Sequence, residues 1–443
     1  MFPYIPHTKE EIEQMLRTIG VDSLEELYKD VPVTVHQLNL PKSQDEFTVA
    51  ERLRELADRN VILEKEKIFA GAGVYVHYIP YAVKAIVSRP EFVTAYTPYQ
   101  AEVSQGTLQA LFEYQTMICE LTGMEVANSS MYDGASAFAE AVLMAYRISG
   151  KTKILLSEGI HPEYIQTCRT YSKGVGLKLE LVPVDERGTT DLNIISKLLD
   201  ADTAAVAVQY PNFFGIIEDL KAIREIAKDI VFIVIAEPIS LALLEPPGSF
   251  GADIVVGDGQ PLGIPPNFGG PTVGFFATLE KHVRKMPGRI IGRTKDVEGK
   301  TGYVMILQTR EQHIRREKAT SNICTNHALM ALTNAVYMSL MGPEGLREIA
   351  RRSYANAHYF AMKLQERGFK LKFGGSFFNE FVVIVGENYE KVWKEIFKKG
   401  FLGPLPLGWF DERYKGLALA CTTEVNTKKS IDSMVNMLER GLK

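Results

Sequence analysis

Apolar residues along the middle of the chain recur in two alternating patterns. Continuous runs rich in valine, isoleucine and alanine predict strands buried on both faces, and they cover residues 153–157, 179–184, 204–211, 229–238 and 253–259. Between the strands, helical stretches are predicted at 161–173, 191–199 and 218–228. This alternation predicts an α/β fold with a doubly wound, mostly parallel sheet. Residues 272–278 predict one more strand, running antiparallel.

A polar, aromatic loop precedes this sheet pattern, at residues 94–106. Pro98 disfavours helical backbone at Thr97, so the loop is predicted to be extended or turned. A helix pattern then runs from about Thr107 to a stop at Gly123. Residues 128–136 open a second, alanine-rich helix. Free N–H groups at such a helix start can bind an anion such as phosphate, although an ordinary N-cap is the better explanation of this segment when it is taken alone.

The motifs TPYQAEVSQG, YQTMICELTGM and NSSMYDGASA within residues 94–141 are long enough to indicate a family. They resemble the P-protein of the glycine cleavage system, the glycine dehydrogenase (decarboxylating) that depends on pyridoxal phosphate (PLP). Length and later motifs resemble its amino-terminal half, which some prokaryotes make as a separate subunit 1. The resemblance implies a fold-type I PLP-dependent transferase-like fold. It also implies an oxidoreductase that decarboxylates glycine, releases CO2 and passes the aminomethyl group to the lipoyl group of H-protein.

The patterns divide the chain into a helical N-terminal arm (1–65), a large PLP-transferase-like α/β domain (66–340) and a small C-terminal α+β domain (341–443). In the arm, Thr8 with Glu11 and Ser23 with Glu26 have capping-box spacing, residues 47–60 predict a helix, and residues 31–41 are extended. In the small domain we expect strands at 381–385 and 417–422, and helices at 343–367, 389–399 and 427–442. The resemblance implies that the arm wraps a partner subunit.

Composition excludes several classes of function. The 443 residues are 46% hydrophobic and 23% charged with a net charge of −4, which is typical of a globular protein and gives no reason to expect nucleic acid or a membrane surface as a partner. No apolar run approaches the ~18 residues of a membrane span, and the first 20 residues lack the apolar core of a signal peptide. We expect a cytoplasmic protein without a metal site or disulfides, because its cysteines are scattered: Cys119, Cys168, Cys324 and Cys421.

A PLP enzyme of this fold needs a phosphate seat, an acid that faces the pyridine nitrogen and a lysine. The acid position holds Glu237, and a vestigial seat is predicted from the second helix start, at Ser129, Ser130, Gly134 and Ser136. The lysine should follow residues 253–259, but Gln260 and Pro261 stand there, and no lysine or arginine occurs between Lys228 and Lys281. No other group forms the imine, so we expect no PLP lysine on this chain.

The resemblance explains this gap, because split P-proteins carry the PLP lysine on a homologous subunit 2. The two chains are expected to pair, as an α2β2 heterotetramer, with an active site at their interface. This chain would then contribute catalytic residues to a shared pocket, namely Tyr96, Tyr99, Gln100, Glu102 and Gln105. Further interface residues are expected in the later polar run, namely Arg315, Arg316, Thr320 and Asn322.

Three questions stay open at the level of sequence. The chain could be a self-sufficient PLP decarboxylase with its lysine elsewhere, such as Lys318, or a non-catalytic scaffold that stabilises subunit 2. Residues 281–318 contain eleven Lys and Arg against four Asp and Glu, a net of 11 − 4 = +7, which fits either a solvated face or a surface that recruits an anionic partner. Residues 69–80 favour a tight turn with a packed His77 over a polar cluster.

Overall fold

The computed structural model describes residues 6–31, 39–323 and 325–442, and the chain divides into two compact units, Met1–Ile62 and Leu63–Lys443. The strands of the described residues are β1 (Val126–Ala127), β2 (Lys153–Ser157), β3 (Lys178–Val182), β4 (Thr203–Tyr210), β5 (Val231–Ala236), β6 (Ile254–Asp258), β7 (Gly274–Thr278), β8 (Ile290–Lys295), β9 (Thr301–Ile306), β10 (Glu380–Ile384), β11 (Leu405–Pro406) and β12 (Leu417–Cys421). The α-helices are α1 (Lys9–Ile19), α2 (Glu46–Ala57), α3 (Tyr81–Val87), α4 (Pro90–Val93), α5 (Gln105–Thr122), α6 (Gly134–Ser149), α7 (Pro162–Lys173), α8 (Leu192–Leu198), α9 (Leu220–Ile226), α10 (Gln312–Arg315), α11 (Ala328–Glu366), α12 (Tyr389–Lys398) and α13 (Lys428–Leu442).

The first unit contains α1 and α2. Thr8 and Glu11 form the predicted capping box at the start of α1. The second predicted box is wrong: a short 3₁₀ helix, Glu25–Tyr28, follows Leu24, whose backbone is already helical, and no side chain caps it. Most of the predicted extended segment 31–41 lies outside the described residues.

The second unit is built on a seven-stranded sheet in the order β1-β7-β6-β5-β4-β2-β3. Strands β2 to β6 pair in parallel, and β7 is antiparallel to both β6 and β1. The predicted mostly parallel sheet and its antiparallel strand are therefore confirmed. Helices connect the parallel strands, because a parallel crossover cannot be made by a tight turn.

Alternating residues of each central strand supply two separate cores. Val206 and Val208 face one core with the apolar side of α5, whereas Ala205 and Ala207 face the other core with α6. The alanine-rich face of α6 lies directly on the sheet. This close packing fixes the start of α6 beside the carboxyl ends of the strands, where α/β proteins place their sites.

A two-stranded hairpin, β8 with β9, lies within the basic run, where no strand was predicted. Ile291 and Met305 are paired across the hairpin and buried. The alternation of apolar and polar residues in these two strands is short, and the surrounding charged residues hide it in the sequence. Gln115 of α5 anchors the hairpin, because its side-chain amide donates to the carbonyl of Ile291 (3.0 Å) and accepts from the Ile291 N–H (2.8 Å).

The C-terminal part carries a small antiparallel sheet in the order β10-β12-β11, and its predicted strands and helices are confirmed within a few residues. Helix α11 runs across the predicted boundary at residue 340 and bends at Gly342, which has a φ of 61° and a ψ of 179°. The division into three domains therefore stays a proposal.

Candidate active site

The loops after the parallel strands converge on one small cavity. Gln209 lies near the end of β4, Glu237 comes directly after β5, and Asp258 ends β6. The cavity has a volume of about 30 Å³, which is room for about two water molecules. Sequence reasoning did not single out two of its walls, which are formed by His161 and Tyr164. The only available signal was the position of His161, just after a predicted strand.

Gln260 stands where a PLP enzyme of this fold has its lysine, and its side chain is fully engaged. The amide nitrogen donates to the carbonyls of Tyr75 (2.9 Å) and Ile264 (2.7 Å), and the amide oxygen accepts from the Tyr75 N–H (2.8 Å). Because an amide both donates and accepts, it pairs with both backbone groups of Tyr75. Gln260 therefore holds the backbone of residues 69–80 in place at Tyr75, which lines the cavity.

Residues 69–80 form the predicted tight turn, with Ala72 and Gly73 at φ values of 60° and 87°. Gly71 is required because a side chain at that position would collide with Glu380. The Glu380 carboxylate accepts from the Ala72 N–H (2.7 Å) and from the Tyr75 hydroxyl (2.6 Å). Burial raises the pKa of Glu380 to about 7.

Two histidines belong to polar clusters here: His77 lies within the turn, and His161 packs against it. His77 is buried, with its Nδ1 2.7 Å from Glu424, so the predicted packed histidine is confirmed and the polar cluster is present as well. His161 accepts from the Glu163 N–H at Nδ1, and its Nε2 lies 3.0 Å from the Ala72 carbonyl. Burial lowers the pKa of His161, so the neutral ring donates to Ala72.

Helix α6 begins where a phosphate seat was predicted, but its N–H groups bind carboxylates of the chain itself. Asp133 accepts from the Ser136 N–H (2.6 Å), and Asp258 accepts from the Gly134 N–H (3.0 Å). Burial raises the pKa of Asp258 to about 6. The hydroxyl of Ser129 lies on a different network and accepts from Asn326. The Ser130 hydroxyl is buried without a partner among the described residues.

These residues do not fit PLP on this chain. The helix start already holds two carboxylates, which oppose a phosphate by charge and by space. Glu237 is at the predicted acid position, but its carboxylate accepts from the N–H groups of Ile239 (3.0 Å) and Ser240 (2.6 Å) in its own turn. Burial raises the pKa of Glu237.

The polar aromatic loop, in contrast, lies at the surface. Tyr96 is 83% exposed and Tyr99 is 55% exposed, and the side chains of Gln100 and Glu102 are exposed as well. Gln105 is tied down, because its amide donates to the carbonyl of Tyr303 (2.9 Å) and accepts from the Tyr303 N–H (2.8 Å). This pairing holds the end of the loop against β9.

Arg289 joins the loop to the later polar run. Its guanidinium donates to the Tyr99 hydroxyl (2.7 Å) and pairs with Glu311 (3.3 Å), which directly precedes α10. Arg289 is only 5% exposed, so the reading of the basic run as a solvated face is wrong at this residue. Sequence reasoning missed it because burial cannot be read from a charge run.

The other predicted interface residues have different environments. Arg315, Arg316 and Asn322 are exposed. Thr320 is half-buried, and its N–H donates to the carbonyl of Arg310 (3.0 Å). The structure therefore brings Tyr99 and the start of the run together at Arg289, while the roles of all these residues stay predictions.

A family model of the glycine cleavage system P-protein matches residues 3–438. The chain belongs to the glycine cleavage system P-protein family. A relative in this family, from Thermotoga petrophila, is named "probable glycine dehydrogenase (decarboxylating) subunit 1". It is 56% identical over 439 residues, which are 99% of this chain and 100% of that protein. The name subunit 1 implies a partner subunit.

Solved structures confirm the fold class. The crystal structure of a glycine decarboxylase (P-protein) of the glycine cleavage system, in inhibitor-bound form, has a TM-score of 0.91 and 46% identity, and the match covers 99% of this chain and 100% of that one. A sphingosine-1-phosphate lyase from Burkholderia pseudomallei has a TM-score of 0.67 at 14% identity and covers 94% of each chain, which shows the fold alone. The predicted fold-type I PLP-dependent transferase-like fold is thus confirmed, and PLP is the cofactor of the P-protein family.

Within residues 6–31, 39–323 and 325–442, no helix is long and apolar enough to cross a membrane. The same residues contain no cluster of His, Cys, Asp or Glu that could hold a metal ion. Cys119, Cys168 and Cys421 are free thiols, and Cys324 lies outside the described residues.

Proposed function

We propose that this chain is subunit 1 of a cytoplasmic glycine dehydrogenase (decarboxylating) and works only with a homologous subunit 2, which holds PLP. The complex, an α2β2 heterotetramer, decarboxylates glycine, releases CO2 and transfers the aminomethyl group to the lipoyl group of H-protein. Family membership and the full-length relative named subunit 1 support this proposal. The unpaired thiols agree with a reducing compartment.

The observation that carries the proposal is the engagement of Gln260. This residue has no amine, and its side chain is fully engaged in three hydrogen bonds to the backbone of Tyr75 and Ile264. Glycine chemistry that depends on PLP therefore requires another chain to supply the lysine and the room for the cofactor. The same geometry argues against a self-sufficient decarboxylase.

The exposed loop at residues 94–106 is the part of this chain that contributes to a shared pocket in our proposal. Tyr96, Gln100 and Glu102 present a hydroxyl, an amide and a carboxylate to solvent, next to the long apolar helix α5. Hydrogen-bonding groups on a loop with a rigid support are typical of binding and catalytic sites. In our proposal they contact the ligands bound by subunit 2, together with Tyr99 and Gln105.

The exposed part of the basic run is proposed to attract H-protein as an anionic partner. Arg293, Lys295, Arg315, Arg316 and Lys318 are all exposed. Lys285 and Arg310 are engaged with backbone carbonyls instead. Exposed charge acts on the rate of association and on orientation more than on final affinity.

The test is reconstitution with a co-expressed subunit 2. Purified alone with added PLP, this chain should yield no pyridoxyl-lysine after borohydride treatment and no glycine–bicarbonate exchange with lipoylated H-protein. The complex should catalyse exchange, and the trapped lysine should map to subunit 2. A stoichiometric pyridoxyl-lysine on this chain would overturn the proposal, and so would an assembled complex that lacks exchange activity.

A further inference from the structure

Arg289 occupies a fixed position between several parts of the second unit. Its carbonyl accepts from the Ser129 N–H (2.8 Å), and the next residues belong to β8, which Gln115 anchors to α5. The side chain is almost completely buried, although it belongs to a run of surface charges. The backbone of Arg289 is thus held on both sides, and its guanidinium has little freedom to move.

The guanidinium reaches three segments that are far apart in sequence. Nη2 donates to the Tyr99 hydroxyl (2.7 Å), Nε pairs with Glu311 (3.3 Å), and Nη1 donates to the side-chain carbonyl of Asn326 (3.4 Å). A buried cation needs such partners to offset its lost hydration. The planar fork of arginine can serve several directions at once, which a lysine ammonium on its flexible stem does less well.

The Tyr99 side chain has one face toward this cation and one toward solvent. The guanidinium carbon lies 5.1 Å from the centre of the tyrosine ring, and the phenol oxygen accepts a charge-assisted hydrogen bond. Because the oxygen is the acceptor, its own hydrogen remains available to a group outside the chain. A bond accepted from a cation also strengthens the phenol as a donor.

We propose that Arg289 is a positioning residue of the shared pocket, which holds the Tyr99 hydroxyl as a hydrogen-bond donor to the carboxylate of the amino-acid substrate. The inference rests on the proposed function and specifies its substrate contact. A hydroxyl that accepts a hydrogen bond from a buried cation is a suitable donor to an anionic oxygen. The ion pair with Glu311 holds the guanidinium of Arg289 in place. Arg289 acts through Tyr99 and does not touch substrate itself.

The test uses the complex reconstituted with subunit 2, carrying Tyr99→Phe, Arg289→Gln or both substitutions in this chain. Each single variant should lower kcat/KM for glycine by roughly 10- to 100-fold, mainly through a higher KM. The double variant should be no worse than the single variants, because both remove the same interaction. Arg440→Gln, which changes an exposed arginine of α13, serves as the matched control with unchanged kinetics.

The outcomes separate the inference from the proposed function. An inactive wild-type complex would overturn the proposed function. An active wild-type complex in which Tyr99→Phe is unimpaired, or changes only the retention of the cofactor, would overturn the inference alone, as would fully multiplicative effects in the double variant. If Arg289→Gln fails to assemble, Tyr99→Phe and Glu311→Gln decide. We expect both to raise the KM for glycine, and an unchanged KM in both would count against the inference.

Discussion

The pocket beside Gln260 and the loop around Tyr99 differ in how their polar side chains are used: those of the pocket are paired within the chain, and several of the loop are exposed to solvent. Around the pocket, Gln260, Asp258 and Glu380 bind groups of the same chain, and the cavity beside them has a volume of about 30 Å³. In the loop, Tyr96 and Glu102 extend into solvent. Hydrogen bonds of Tyr99 and Gln105 hold the same loop to the rest of the second unit. The polar side chains named in the pocket are paired within the chain, whereas those of Tyr96 and Glu102 are exposed to solvent.

The difference shows that a chain can keep the fold of an enzyme family without keeping a free cofactor site at the usual place. The sheet, α6 and the acid position of a PLP enzyme are all present, yet the cofactor position is closed by the chain's own side chains. The surface that would face a neighbouring subunit is left polar and accessible. Breaking each region should therefore give different results: loss of stability for the pocket, and loss of turnover for the loop.

The largest effect is expected from placing a lysine in the closed pocket. Gln260→Lys removes the acceptor for the Tyr75 N–H and places an ammonium in a buried site, which should destabilise the chain by about 3–5 kcal/mol. Urea unfolding measures this change, and Gln166→Lys, at an exposed position of α7, is the control. Unchanged stability, together with a pyridoxyl-lysine at the new residue, would show that the pocket is open.

The loop should respond in turnover and leave stability unchanged. Gln100→Ala or Glu102→Ala should lower the exchange rate of the reconstituted complex by about 10²-fold, because in our proposal each removes a group that contacts the reacting ligands. Glu113→Ala, at an exposed site of α5, is the matched control. If both variants keep the wild-type rate while the complex stays assembled, the chain is a scaffold for subunit 2.

The pH dependence of stability sharpens the description of the pocket. Glu380 has a folded pKa of about 7, above the ~4.3 of an unfolded glutamate, so the folded state binds more protons between these values. Its contribution to stability is therefore fully present below pH ~4.3 and is lost as pH rises to about 7, with a slope of at most ~1.4 kcal/mol per pH unit. Asp258 contributes in the same direction.

Glu380→Gln should remove its share of this slope. Chemical unfolding of both proteins at several pH values from 5 to 7.5 gives the comparison, with the exposed Glu344→Gln as the control. Parallel stability curves for wild type and Glu380→Gln would mean that Glu380 stays ionised, and that the pocket is wetter than described.

The smallest effect concerns the exposed basic run. Arg293→Glu should weaken the binding of H-protein roughly two- to fivefold at low salt, and the difference should disappear as salt screens the charge. Arg289 is unsuitable for this test because it is buried and paired. Titrations at two ionic strengths, with Arg440→Glu as the control, measure the effect, and a salt-independent loss would argue against electrostatic recruitment.

Local patterns predicted the fold well, because a run such as residues 153–157 specifies its own strand and its own burial. The closing of the pocket could not be predicted in this way. Asp258 reaches Gly134 across 124 residues, and Glu380 reaches Ala72 across 308 residues. The absent lysine was visible because it is a matter of residue type, whereas the burial of Arg289 depends on β8, whose apolar positions are masked by neighbouring charges.

The carboxylate of Asp258 at the start of α6 has a consequence for biosynthesis. A helix start that needs a bound phosphate is incomplete until the cofactor arrives, and such a protein gains stability from its ligand by mass action. Here the chain itself supplies the anion. In the proposed complex, newly made copies of this chain would therefore fold to completion without vitamin B6, whereas a subunit 2 that holds PLP would gain stability from its supply.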